Sequence, residues 1–360
     1  MKRLWKHEWK YYLSFMVIMT VILLLSQDIS WLTEFGMGYR SWQDFQIASM
    51  LYYFSDGVIG GLLSSIVFIS VIGILVFKAV FFWQEKDSYG REFLQTLPVT
   101  RLDRMVFHLA MDSLVILISV TCFGVCLYCR IMDFLKVNEI EVTGIATGIF
   151  LRMAMIIGYL LFVLCLINVL GCLFAGGSIR IAGTAGNICI GYLLLYFISI
   201  LHEKSEWIQN LCRFFALDIA GNFSNTGSEE LMIQNVKDIM VYYKGEPMAI
   251  PVEYDVYHFL SNEDMGWYIG CLAGYVVLAV LLAAIAIFLV GKQEQSRRDF
   301  YFAFGRYLTS GLVSVTFCTM LLLNATAAVW HACLIVLASI LLFVMLSYWM
   351  DSDRKPLKKS

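Results

Sequence analysis

Long apolar blocks alternate with short polar segments along this chain. Inside the blocks there is neither the period-two alternation of a half-buried strand nor the 3.6-residue stripe of a half-buried helix. An apolar run of about 18 residues or more predicts a membrane-spanning helix, because only a helix satisfies its own backbone groups in lipid. Eight such runs stand out, at 11–27, 57–83, 107–129, 146–176, 181–201, 266–290, 308–325 and 328–349. The fourth is long enough to tilt or kink. A break around Asn324 and Thr326 divides the last two, where a single bent or re-entrant span would also fit. The pattern predicts an all-α polytopic membrane protein with about eight transmembrane helices.

Composition agrees. Of 360 residues 60% are hydrophobic and 15% charged, against about 25% charged in a soluble domain. The mean hydropathy is +0.74. Net charge is −2, which hides an asymmetry. Seventeen basic residues fall in one alternating set of segments: the N-terminal tail, the 84–106 loop, the turn at Arg180, the 291–307 loop and the C-terminal tail. The opposite set holds seven: Arg40, Arg130, Lys136, Lys204, Arg213, Lys237 and Lys244. Basic loops stay cytoplasmic, so both termini and the 84–106 loop are expected inside. The 28–56 and 202–265 segments are then outside, and the latter is rich in acid (Glu203, Glu206, Asp218, Glu229, Glu230, Asp238).

The first ten residues, MKRLWKHEWK, are basic, and Trp5, Trp9 and Tyr12 share a helical face. No A-x-A-like site follows the apolar run, so a cleaved signal peptide is not expected. The stretch reads either as an interfacial helix leading into the first span or as a charged flanking tail with belt aromatics. Nine of ten cysteines lie in or beside spans, and only Cys212 sits in the outer segment, so no disulfide framework is expected there. Cys122, Cys126 and Cys129 share a face but lack His or carboxylate neighbours in sequence. They read as small hydrophobes, not as a metal site.

Motifs for chemistry are missing. Gly291-Lys292 lacks the upstream glycine and the Ser/Thr of a phosphate loop. His202-Glu203 is followed by Lys204, Ser205 and Glu206, so H-E-x-x-H fails, and no G-x-S-x-G occurs. The five histidines are scattered. No catalytic residue, cofactor, metal ligand or nucleic-acid partner is expected, and any nucleotide energy must come from another chain. Asn222-Phe223-Ser224 is a formal glycosylation sequon, relevant only in a eukaryotic secretory setting.

The segment 81–109, FFWQEKDSYGREFLQTLPVTRLDRMVFHL, joins two apolar spans with charge, aromatics and one proline. Over 85–97 it predicts a short amphipathic helix, with Tyr89, Phe93, Leu94 and Leu97 on one side and Glu85, Lys86, Arg91, Glu92 and Gln95 largely on the other. Pro98 disfavours a helical Leu97 and ends it. Thr100 is the predicted N-cap of the next helix, with Asp103 in the capping-box position.

This loop resembles that of ABC-2 type permeases, the membrane subunits of ATP-binding-cassette exporters. The family pattern is an acidic residue, a glycine, E-x-L and then L-P-[VL]-[ST]-R between spans two and three. The matching residues are Glu85, Gly90, Glu92, Leu94 and Leu97-Pro98-Val99-Thr100-Arg101. The motif covers some twenty residues, and the topological resemblance extends over about 1–292. Two departures are His108, where lysine is common, and the additional hairpin at 308–349. The resemblance implies a six-span ABC-2 type core over 1–292, and a linker, C-terminal hairpin and basic tail over 293–360. It also implies that the 84–106 loop, with Arg91 among its charges, docks on a cytoplasmic ATPase subunit. A second permease subunit completes the assembly in the bacterial cytoplasmic membrane. The alternative for the loop is a mere interfacial anchor. The substrate, whether drug, peptide or lipid, is not specified.

Gly57, Gly61 and Ser65 recur every four residues on the second span, a small-xxx-small surface for close helix approach. Lys78, Asp112 and Arg152 are ionisable groups inside spans, near their ends, so snorkelling is open to Lys78 and Arg152. Antiparallel packing of spans two and three would bring Lys78 and Asp112 to similar depth, and a charge pair is expected. Rival readings are a secondary transporter or channel, which calls for polar groups and broken helices at mid-membrane, and a membrane-embedded enzyme, which the missing motifs disfavour.

Overall fold

The computed structural model describes residues 2–35, 56–84, 100–137, 145–174, 177–201, 205–216, 239–243, 246–250, 262–292, 298–324 and 329–352. In chain order the described helices are α1 (Lys2–Phe35), α2 (Asp56–Gln84), α3 (Arg101–Val137), α4 (Ile145–Leu173), α5 (Gly177–Leu201) and α6 (Glu206–Ala216). The strands β1 (Ile239–Tyr243) and β2 (Glu246–Ile250) follow, then α7 (Asn262–Lys292), α8 (Arg298–Asn324) and α9 (Val329–Ser352). The protein is a multi-pass α-helical membrane protein. Six helices carry a described apolar stretch long enough to cross a membrane: Glu8–Leu25, Leu102–Arg130, Ile149–Leu173, Arg180–Leu201, Tyr268–Gly291 and Phe304–Leu323. The described apolar parts of α2 and α9, Ile66–Val80 and Ile335–Ser347, are shorter than that.

The described helices contain no proline, and the one described proline, Pro247, lies on β2. A proline inside a helix would remove a backbone hydrogen bond that lipid cannot replace. α1 is a single helix of 34 residues, so the basic N-terminal stretch runs into the first span without a break. Trp9 and Tyr12 nevertheless part company: Trp9 is 37% exposed and Tyr12 only 1%.

The chain forms two compact units. One comprises Met1–Ile74, Phe107–Leu164 and Leu217–Leu281. Within it α1 and α3 run the same way, since Tyr12 meets His108 and Thr20 meets Ser119. α3 and α4 run oppositely, Gly124 facing Met153 and Tyr128 facing Phe150. α4 and α7 run the same way, with Arg152 against Tyr268 and Tyr159 against Tyr275. With α2 counted as a span, those senses are what alternating passes across a membrane require. The core is built of Tyr12, Leu23, Ile66, Phe123, Ile156, Tyr159, Leu160 and Tyr275. Gly158 lets α7 approach, since a methyl group there would lie 2.9 Å from Leu272. Outer faces carry Val17, Ile18 and Val21 on α1 and Val277, Val280 and Leu281 on α7, all exposed. A helix apolar on every side fits a lipid surround.

The other unit comprises Leu75–Val106, Cys165–Ala216 and Leu282–Ser360. Here α8 packs on both α5 and α9, and α6 folds back on α5. Phe174, at the end of α4, puts its ring between Gly183 of α5 and Gly305 of α8. Methyl groups on these glycines would meet the ring at 2.7 Å and 3.1 Å. α8 and α9 are separate helices, as the break near Asn324 predicts.

The sequence reads 202–265 only as an acidic outer segment. Among the described residues the structure places a helix and a two-stranded hairpin there. α6 is strongly amphipathic, with Cys212 buried and Trp207 72% exposed. β1 and β2 pair antiparallel, Ile239 opposite Ile250 and Tyr243 opposite Glu246. Their hydrogen-bonded backbone makes this the one departure from a purely helical chain among the described residues.

Candidate functional site

Of the loop residues expected to contact an ATPase, Glu85, Gly90, Arg91, Glu92, Leu94, Leu97 and Pro98 lie outside the described residues. Thr100 and Arg101 lie within them, at the start of α3. Thr100 Oγ1 accepts the Asp103 backbone N–H at 3.1 Å and donates to Asp103 Oδ2 at 2.7 Å. Its carbonyl accepts the Arg104 N–H at 3.1 Å, the first bond of the helix. Thr100 is therefore the N-cap, and the expected start of α3 is observed. The cap satisfies an N–H group that would otherwise be orphaned, and the Asp103 carboxylate meets the positive end of the helix.

The backbone of α2 includes Gly57, Gly61 and Ser65, but their side-chain surroundings lie outside the described residues. The close approaches that the structure records in the first unit are elsewhere on the helices. Gly73 lies against the Met19 side chain, and Gly124 against Met153.

Lys78 and Asp112 are both buried, at 4% and 3% exposure, Lys78 in the second unit and Asp112 in the first. Arg152, at 4%, does not snorkel. Its guanidinium lies 5.4 Å from the centre of the Tyr268 ring, and Nη2 donates to the Tyr268 hydroxyl at 3.4 Å. A cation over an aromatic face gains electrostatically, more so out of water, and that replaces the solvation given up by burial.

A further cluster, on α1 and α3, escaped the sequence reading. His108 Nδ1 is 2.5 Å from the Tyr12 hydroxyl. Its Nε2 is 3.6 Å from Glu8 Oε2. The His108 and Glu8 side chains are 14% and 10% exposed, so both are largely withdrawn from solvent. Asp112, one turn beyond His108 on α3, and Glu8 both act electrostatically on Tyr12. The rings add packing, Phe107 meeting Tyr12 edge-on at 6.1 Å. In the neutral imidazole one nitrogen accepts and the other donates, so the ring bridges a phenol and a carboxylate. On taking up a proton it donates from both. The signal in the sequence was two i, i+4 pairs in apolar helices, Glu8 with Tyr12 and His108 with Asp112. Nothing local joined the two pairs.

No described cysteine forms a disulfide, and Cys212 is buried. Among the described residues no three His, Cys, Asp or Glu side chains converge as metal ligands. Comparison of the chain with protein-family models, curated proteins and solved structures finds no match.

Proposed function

We propose that this chain is the membrane-spanning subunit of an ABC-2 type exporter of the bacterial cytoplasmic membrane, driven by ATP hydrolysis on a separate cytoplasmic chain. The observation that carries the reading is the 85–101 pattern, E-x4-G-x-E-x-L-x2-L-P-V-T-R, placed between two apolar helices and ending in the capped start of α3. A capped helix start fixes the direction in which the loop leaves the span, and a loop held at a fixed angle can pass on a push. The running senses of α1, α3, α4 and α7 support an alternating topology. On this reading all eight apolar helices span, both termini are cytoplasmic, and 202–265 faces outward. The permease works as a pair of such subunits with two ATPase chains. It holds no catalytic group of its own, and moves an amphipathic drug, peptide or lipid.

Purification of the tagged chain from its native membranes in mild detergent tests the proposal. A co-purifying subunit with G-x-x-x-x-G-K-[ST] and ATPase activity is the expected result. A chain recovered alone that drives transport in ATP-free vesicles contradicts it.

A further inference from the structure

Glu8, Tyr12, His108 and Asp112 place two carboxylates, an imidazole and a phenol near the starts of α1 and α3, all largely withdrawn from solvent. Ionisable groups withdrawn from water cost free energy unless they are paired, and inside membrane proteins such groups mark functional sites. Packing alone does not call for them, because α1 and α3 are already held further along. Thr20 Oγ1 donates to Ser119 Oγ at 3.1 Å, and Met19, Leu23, Val115, Ile116 and Val120 are buried. No three His, Cys, Asp or Glu side chains converge as metal ligands among the described residues. A proton needs only one base and its partners.

We propose that Glu8, His108 and Tyr12 form a proton-binding site that fastens α1 to α3. With His108 neutral, Nδ1 accepts from the Tyr12 hydroxyl and Nε2–H faces Glu8. Proton uptake at Nδ1 makes that nitrogen a donor, and the Tyr12 oxygen, its hydroxyl hydrogen rotated away, accepts in turn. Glu8 at 3.6 Å then faces an imidazolium, and a polar contact becomes an ion pair. The other charged groups in question are Asp112 and Arg104, each one turn from His108 on α3. Lys78, the buried lysine of α2, belongs to the second unit. No covalent bond changes; one proton moves between water and the site. This inference rests on contacts within the first unit and stands apart from the exporter reading.

The test uses the full chain in lipid nanodiscs, its thermal midpoint recorded from pH 5.5 to 8.0 alongside Glu8→Gln, His108→Gln and Tyr12→Phe. The parent midpoint should fall as the pH rises, because loss of the proton turns the His108–Glu8 ion pair back into a polar contact. Glu8→Gln and His108→Gln should each lose more than half of that slope, whereas Tyr12→Phe, which keeps the ring packing, should lose less. Parental slopes in both Gln variants, or a parent indifferent to pH, overturn the proposal. If a variant fails to fold, the 13Cε1 signal of His108 is followed in a chain with the other histidines (His7, His202, His258 and His331) changed to Gln. A single titration step between pH 5 and 9 is expected there, and its absence equally overturns the proposal.

Discussion

Gly305 of α8 lies against Leu173 at the end of α4 with no room for a side chain: a methyl group built on it would stand 2.7 Å from the Leu173 carbonyl oxygen. A backbone oxygen cannot swing aside as a side chain does. Gly305→Ala should therefore destabilise the protein by about 1–3 kcal/mol, the usual cost of overpacking. Gly186→Ala on α5, where nothing lies within 4 Å, should be neutral or gain up to about 1 kcal/mol from better helix propensity. Thermal midpoints in detergent of the two variants measure the contrast; equal midpoints would mean that α8 does not approach α4 as described.

The same helix is tied to α5 by a hydrogen bond from Asn187 Nδ2 to Thr309 Oγ1 at 2.9 Å. Asn187 Nδ2 also donates to the Gly183 carbonyl at 2.6 Å, which fixes the amide orientation. Interhelical hydrogen bonds in membranes average about 0.6 kcal/mol, with a maximum near 1.7. Asn187→Leu and Thr309→Val should each lower stability within that range. The double variant should lose less than the sum. Strict additivity in unfolding measurements would show that the two side chains do not meet.

Thr100 caps α3, and N-cap replacement by alanine costs about 0.5–2 kcal/mol. Thr100→Ala should lower the thermal midpoint, and Thr100→Ser should restore most of the loss, since serine keeps the hydroxyl that Asp103 engages. On the exporter reading Thr100→Ala should also weaken ATP-driven transport at equal abundance. Serine and alanine variants that behave alike would remove the cap from the account.

What could be read from the sequence was what is local in it. The capped start of α3 depends on four consecutive residues, and the long helices depend on runs of apolar side chains, so both were legible. The Glu8–His108 contact joins residues a hundred positions apart, and no periodicity reports such a meeting. Small-residue spacing pointed to Gly57, Gly61 and Ser65, whose surroundings lie outside the described residues, and it gave no notice of the close approaches at Gly73 and Gly305. A lone glycine in an apolar helix becomes meaningful only once its neighbour is known. The segment 202–265 hid α6 and the hairpin because its charges dilute any hydrophobic pattern.

Side-specific labelling checks the topology between the fifth and seventh apolar runs. Cysteines introduced at Ser228 and Ser296 should react with a membrane-impermeant maleimide from opposite sides, Ser228→Cys from the outside. Labelling from one side only would remove α7 from the set of spans.

On the exporter reading, pull-down of the proposed ATPase chain with the tagged protein, normalised for abundance, decides the role of the 85–97 loop. The 85–97 pattern puts Glu92 on the charged face, so Glu92→Ala is expected to leave abundance intact, a surface substitution usually shifting stability by no more than about 0.5 kcal/mol. It should still weaken ATPase recovery, since a hydrogen bond to a charged group contributes about 1.5–3 kcal/mol. Arg91→Glu should be worse, adding repulsion to the loss, and charge reversals at Glu229 or Glu230 should change nothing. Recovery that drops only for the Arg91 and Glu92 variants is the result expected of a coupling loop. Parental recovery and transport in both would make the loop an anchor and contradict the assignment of this chain to an ATP-driven exporter.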